Sequence, residues 1–118
     1  MPLQRGDVVL VPFPFTDLTA QKVRPAVVVS PDNAGDDVLL AFISSTLPQN
    51  PVPLTDLPIP ASHAEFLDTG LKKPSVIKAA KLLALHKTKI LRRLGRLGPT
   101  LLRELDVRLK RAVGISAT

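Results

Sequence analysis

The sequence predicts a mainly β fold (α+β) closed by one C-terminal helix. Three observations carry this expectation. Short apolar runs rich in valine, isoleucine and leucine recur along most of the chain, each bounded by turn formers. Twelve prolines punctuate it, and proline is excluded from helix interiors and from central ladder positions. Sustained helical spacing of leucines is clearest at the C-terminal end.

In chain order, Arg5-Gly6-Asp7 is a turn signal that leads into Val8-Val9-Leu10-Val11, a buried strand ending near Pro12 and Phe13. Residues 14–22 then form a loop, long enough between strands to suggest a functional role. The second strand runs from Pro25 to Ser30; its first residue lacks an N–H, and its three consecutive valines are stiff and β-branched. Residues 31–37 are dense in turn formers. A third strand, Val38 to Ser44, ends in the hydroxyl run Ser44-Ser45-Thr46.

The proline-rich stretch from Pro48 to Pro60 is expected to contribute an edge strand at Val52-Pro53-Leu54, since an edge position misses no ladder donor. Ala61 to Leu67 suits one or two helical turns. After the basic turn 70–74, residues 75–83 begin as a strand, while Ala79-Ala80-Lys81-Leu82-Leu83 favour helix by propensity. Ile90 to Leu97 reads as a short strand in which Gly95 marks a bulge or a close backbone approach. Gly98-Pro99 opens the helix, with proline at its first position. Leu101, Leu102, Leu105, Leu109, Ala112 and Val113 form its apolar stripe, and Gly114 is its stop. Val107 lies off the stripe.

The length of 118 residues fits a single domain, 1–118, with one modest core. An apolar content of 45% excludes general disorder. The absence of cysteine excludes disulfides and thiolate metal sites and is compatible with a reducing cytoplasm. The N-terminal residues lack the apolar core of a secretory signal, and no apolar run is long enough to cross a bilayer. Charge is unevenly placed. Residues 1–71 carry three Lys/Arg against eight Asp/Glu, or −5; residues 72–118 carry thirteen against two, or +11. A basic half of this kind attracts nucleic acid or an acidic protein, and is also compatible with a merely solvated face. With four phenylalanines and no tyrosine or tryptophan, a single-strand binder built on aromatic platforms is disfavoured.

The sequence has no Walker loop, HExxH or GxSxG motif and no metal-ligand cluster. His63 and His86 are isolated, and Asp36 and Asp37 sit in a turn. What remains is Arg24, at the mouth of the valine strand, and the hydroxyl cluster beginning at Ser44. A permanently charged guanidinium presents a fork of donors that fits phosphate, although it also suits capping a strand end or pairing with a carboxylate. Arginine and serine together suit a reaction in which RNA supplies its own nucleophile, the 2′-hydroxyl. The protein then orients the attack, neutralises the phosphorane and delivers a proton to the leaving oxygen. Residue types alone name no general base.

The order Arg5-Gly6-Asp7-Val8-Val9, then Val23-Arg24-Pro25-Ala26-Val27-Val28-Val29-Ser30, Ile43-Ser44-Ser45, Gly70-Leu71 and Pro74-Ser75-Val76-Ile77, followed by a terminal helix, resembles the MazF/PemK toxin family over nearly the whole chain. The resemblance implies a small SH3-like barrel of five to seven strands with a C-terminal helix, acting as a homodimer. It implies metal-independent, sequence-specific cleavage of single-stranded RNA to 2′,3′-cyclic phosphate and 5′-hydroxyl ends, without a cofactor. It also implies a cognate antitoxin whose acidic, disordered tail covers the RNA groove. By this resemblance Arg24 is the acid–base and phosphate-stabilising arginine. Ser44 stands where threonine is common and bonds the scissile phosphate. The loop from Pro14 to Val23 matches the family's loop over the RNA, placing Thr16, Gln21 and Lys22 near substrate; Ser45 and Lys81 complete the expected RNA-binding set. Lys81 and Leu83 stand where many members carry glutamine and arginine. The competing expectations are a CcdB-like gyrase-inhibiting toxin acting through its helix, and a degenerate member that binds nucleic acid or antitoxin without cutting.

Overall fold

The computed structural model describes residues 2–12, 22–31, 35–46 and 49–116. Within them the chain forms a curled six-stranded antiparallel sheet with one α-helix packed on it, the mainly β architecture that the sequence predicts. The strands are β1 (Asp7–Pro12), β2 (Val23–Ser30), β3 (Asp37–Ser44), β4 (Asp56–Ile59), β5 (Ser75–His86) and β6 (Arg92–Arg96); α1 spans Pro99–Ala112. Their order across the sheet is β4-β5-β3-β2-β1-β6.

The near-continuous apolar runs of β1, β2 and β3 arise because both sheet faces are covered. Val8, Val27, Ala41, Ile43, Leu57, Ile59 and Ile77 face Leu101 and Leu105 of α1 in one buried cluster. Val9, Val11, Ala26, Val28, Val38, Leu40 and Phe42 form a second, on which Leu3, Leu83, Leu85 and Ile90 pack. Alternate residues along each strand therefore serve opposite cores. A one-residue slip of any of these strands would exchange the two sets.

Helix α1 begins as expected, with Gly98 at the cap and proline in its first turn. Leu101 and Leu105 are fully buried, Leu102, Leu109 and Ala112 partly so, but Val113 at the end of the stripe is exposed. Gly114 adopts φ +78° and its N–H donates to the Arg111 carbonyl, ending the helix.

Four local expectations require correction or refinement. The edge strand of the proline-rich stretch is Asp56–Ile59, not Val52–Leu54. Its proline is Pro58, tolerated because β4 is an edge strand that among the described residues pairs only with β5. Residues 61–67 do not form α-helix: His63 N–H bonds Pro60 O and Phe66 N–H bonds His63 O, tight three-residue turns that run into a 3₁₀ turn at Leu67–Thr69. Residues 79–83 are strand throughout, because β5 pairs with β3 on both sides of residues 79–81, at Lys78 and from Leu82 to His86, and this tertiary pairing outweighs propensities of a few tenths of a kcal/mol per residue. Pro25 is not the first residue of β2, which starts at Val23; however, the β2–β3 register begins only at Ala26, and among the described residues the ladder partners of Val23, Arg24 and Pro25 are in β1.

Gly95 meets both of its expected roles. The β1–β6 register shifts so that Val8 faces Gly95 while Val9 faces Arg93. A Cβ on Gly95 would collide with the backbone of Asp68 and Thr69. The 3₁₀ turn thus lies directly against β6.

Candidate functional site

Strand register places the expected site residues. Ala26 faces Phe42 and Val28 faces Leu40 in the β2–β3 pair. Arg24 and Ser44 each lie two residues beyond the Ala26–Phe42 pair that ends this ladder. On the other side of β3, Ser44 faces Val76 of β5, and Val76 faces Pro58 of β4. Directly opposed residues share a sheet face, so Ser44, Val76 and Pro58 form one row across β3, β5 and β4. The adjoining row on the same face is Ala26, Phe42, Lys78 and Asp56.

Arg24 and Ser44 line a common cleft of about 160 Å³, together with Phe42, Ile43, Thr46, Lys78 and Lys81. The floor is built by the core itself. Val11, fully buried, faces Arg24 across the β1–β2 pair. Phe42, almost buried, sits beside Ser44's neighbour in the strand. The result is a partly apolar cleft with a guanidinium, hydroxyls and ammonium groups around it.

Ser44 is oriented locally. Its Oγ accepts a hydrogen bond from Thr46 N–H at 3.1 Å, which closes the chain into a short turn as it leaves β3. An oxygen engaged as acceptor in this way keeps its own proton for donation into the cleft. Lys81 reaches the cleft through an irregularity in β5. Leu82 faces Ala41 but Lys78 faces Phe42, so residues 79–81 are surplus to the β3 ladder. Ala79 N–H turns instead to Thr55 O at 3.0 Å. The bulge bends β5 at the place where residue propensity changes from strand to helix, and it carries Lys81 to the cleft wall.

Lys78, Thr46, Phe42 and Ile43 are cleft residues that sequence reasoning did not select. The available signal was Lys78, a charge inside the run Val76-Ile77-Lys78-Ala79. Its ammonium lies 2.7 Å from Asp56 Oδ2, and Asp56 is 5% exposed. A carboxylate so enclosed needs this cation; Lys78 is therefore largely a structural counter-charge, whereas Lys81 is exposed.

The other expected residues separate. Ser45 is exposed just after β3 but is not part of the cleft lining. Lys22 is exposed immediately before β2. Thr16 and Gln21 lie outside the described residues. His63 is engaged locally, with Nδ1 accepting from Glu65 N–H at 3.0 Å. His86 bonds Thr88 and lies 3.7 Å from Asp36, at the opposite end of β3 from Ser44. Among the described residues no helix is long and apolar enough to cross a membrane.

The fold has solved counterparts. A structure described as an endoribonuclease from a mycobacterial species superposes with a TM-score of 0.73 at 19% identity, covering 100% of this chain and 97% of that one. A chain of a MazE–MazF crystal structure from Deinococcus radiodurans gives 0.73 at 21% identity, over 98% and 100% of the two chains. A mycobacterial endoribonuclease in complex with its cognate antitoxin gives 0.72 at 20% identity, over 97% of each. No curated protein matches the sequence. The curled sheet, terminal helix and strand-end cleft thus define a MazF-like small β fold. The chain belongs to the PemK-like, MazF-like toxins of type II toxin–antitoxin systems, whose family profile matches residues 4–113.

Proposed function

We propose that this toxin is an endoribonuclease that cuts single-stranded RNA at specific sequences by internal transesterification, without a metal. The observation that carries the reading is the meeting of Arg24 and Ser44 on one cleft, at the ends of neighbouring strands. The RNA 2′-oxygen loses its proton and bonds to the adjacent phosphorus. The bond from phosphorus to the 5′-oxygen breaks, and that oxygen takes up a proton. The products are a 2′,3′-cyclic phosphate and a 5′-hydroxyl. Arg24 bridges the non-bridging oxygens and stabilises the charge that grows on them in the phosphorane. Ser44 donates its proton to the same phosphate and fixes its position. Lys81 holds a neighbouring phosphate, with Lys22, Ser45, Thr16 and Gln21 contributing along the strand. A guanidinium is too weakly acidic to serve readily as the base.

The same basic surface suits the acidic tail of an antitoxin, which would compete with RNA for Arg24 and Lys81, and the working unit in this reading is a homodimer. Support comes from family membership, from neighbours described as endoribonucleases, and from one neighbour bound to its cognate antitoxin.

The test is to incubate the purified protein with a long single-stranded RNA in EDTA. Discrete fragments with 5′-hydroxyl ends are expected, and Arg24→Ala should reduce their formation by at least about a hundredfold, the scale of losing one transition-state donor. Intact RNA alongside trapped gyrase–DNA complexes would instead establish the gyrase-directed reading.

A further inference from the structure

At the other end of the strand order from β4, β6 and the start of α1 border a hollow of about 480 Å³, whose lining includes Arg93, Gly95, Arg96, Pro99 and, from the 3₁₀ turn, Asp68. No described residue lines both this hollow and the cleft. We propose that it is a phosphate-binding site, in which Arg93 and Arg96 together hold one phosphate group. The proposal does not depend on the chemistry of the cleft.

The first argument is how the strand brings the two guanidiniums together. Arg93 and Arg96 are three residues apart, so in a regular strand their side chains would leave opposite faces. The β1–β6 ladder is irregular here. Asp7 faces Arg96, Val8 faces Gly95 and Val9 faces Arg93, which leaves Leu94 as an extra residue. A bulge of this kind reverses the alternation beyond it and re-aims a side chain. Asp7 and Val9 share a face of β1, so Arg93 and Arg96 share a face of β6. Both reach Asp7, at 3.8 and 3.9 Å.

Spare donors are the second. Those two distances are ion-pair contacts, longer than a hydrogen bond. Asp7 is fully buried; its Oδ2 accepts from Gln4 N–H at 2.9 Å, and its Oδ1 has no hydrogen-bond partner among the described residues. Among the described residues the Arg93 guanidinium donates no hydrogen bond, and that of Arg96 donates one, to Gln4 Oε1 at 3.3 Å. Asp7 thus fixes both forks by charge while most of their N–H groups stay unused. One cation balances one buried carboxylate, so folding alone does not explain the second arginine. Their side chains are 42% and 54% exposed. Two open forks held side by side are the donor set that grips phosphate oxygens bidentately.

The other groups around the hollow add nothing or oppose an anion weakly. Pro99 opens α1, but Glu65 already accepts from the Thr100 and Leu101 N–H groups, so the helix start supplies no donor. Asp68 repels an anion, yet it is exposed, where solvent and salt screen its charge. Asp7 carries a charge that the two arginines already offset. The volume admits a nucleotide. Phosphate therefore has two sources here, the phosphodiester of a nucleic-acid strand and a free nucleotide or pyrophosphate.

Arginine Nε resonances of the isotope-labelled protein report on the site directly. They are followed while AMP, pyrophosphate and a short 2′-fluoro single-stranded RNA, which lacks the attacking hydroxyl, are added in separate titrations. Shifts at Arg93 and Arg96 that exceed those at Arg103, exposed on α1, are expected. Shifts with the RNA alone identify a strand phosphodiester, and shifts with AMP and pyrophosphate identify a free phosphate; either result upholds the site. Arg93→Gln leaves Asp7 with Arg96 and should bind the same probe about tenfold more weakly, the scale of one charged donor. Asp68→Asn should bind it about twofold more tightly. Thermal melting establishes that each variant is folded, and the wild-type shifts stand independently of them. Equal shifts at Arg103, no shift with any probe, or a folded Arg93→Gln that binds as the wild type does would overturn the proposal. None of these readouts uses cleavage, so failure here and failure of the ribonuclease reading are separate results.

Discussion

Ser44 and Arg24 depend on separate supports. Ser44 keeps its orientation through the Thr46 N–H, a contact that a threonine hydroxyl could also accept. Ser44→Thr is therefore expected to retain cleavage, with a more restricted χ1, whereas Ser44→Ala should lower kcat about tenfold or more by removing a phosphate donor. Single-turnover rates on one oligonucleotide decide this; equal rates for Ser44→Ala and wild type would exclude Ser44 from the chemistry. Arg24→Lys should rescue little, because a point charge does not replace a planar fork. Asp56 presents a different case. Asp56→Ala leaves the Lys78 ammonium in a partly enclosed position without its 2.7 Å partner. The expected cost is about 1–3 kcal/mol in urea unfolding, below the full buried-pair range because Lys78 keeps some solvent.

At the level of elements, the helix start is held from outside the helix. Glu65 accepts from the Thr100 and Leu101 N–H groups at 3.0 and 2.8 Å, satisfying donors that Gly98 at the cap position cannot. The Leu101 hydrogen bond is the largest cause that holds the Glu65 carboxyl below its ordinary value of 4.5. Because the folded value is the lower one, the stabilisation is complete above the unfolded value and fades as pH falls through the folded one. Glu65→Gln should thus melt below wild type at neutral pH, with the gap closing in acid. A constant gap across pH would mean that the carboxylate charge is not what caps the helix. Gly98 permits this arrangement, since a Cβ there would occupy the place of the Glu65 carboxyl group. Gly95 performs the same service for the 66–70 turn. Gly95→Ala must push Asp68 and Thr69 off β6, and a loss of about 2–4 kcal/mol is expected from thermal or urea melting.

Across the whole molecule the governing feature is charge. The +11 of residues 72–118 is spread over β5, the turns on either side of it, β6 and α1, yet only part of it borders the cleft. Asp7 lies buried between Arg93 and Arg96, at 3.8 and 3.9 Å, and Arg5 pairs with Asp106. If Arg24, Lys81, Lys72 and Lys73 each neutralise one phosphate, the log–log salt slope for single-stranded RNA is about −3. Affinity should then fall roughly fiftyfold between 50 and 200 mM salt. Anisotropy titrations measure this; a flat salt response would place RNA on an uncharged surface.

The sequence by itself determined where apolar runs, breakers and helical periodicity lie, because these are properties of neighbouring residues. It therefore determined the first three strands, the helix from Pro99, its glycine stop and the bulge and close approach at Gly95. Arg24 and Ser44 were legible for a similar reason: each sits at the end of a strand whose apolar character marks it. Only the tertiary structure decided that β5 stays extended through Ala79-Ala80-Lys81, that Asp56–Ile59 and not Val52–Leu54 is the edge, and that Lys78 answers Asp56. Each of these depends on which strand lies alongside, and ladder register joins residues far apart in the chain at energies that exceed local propensity.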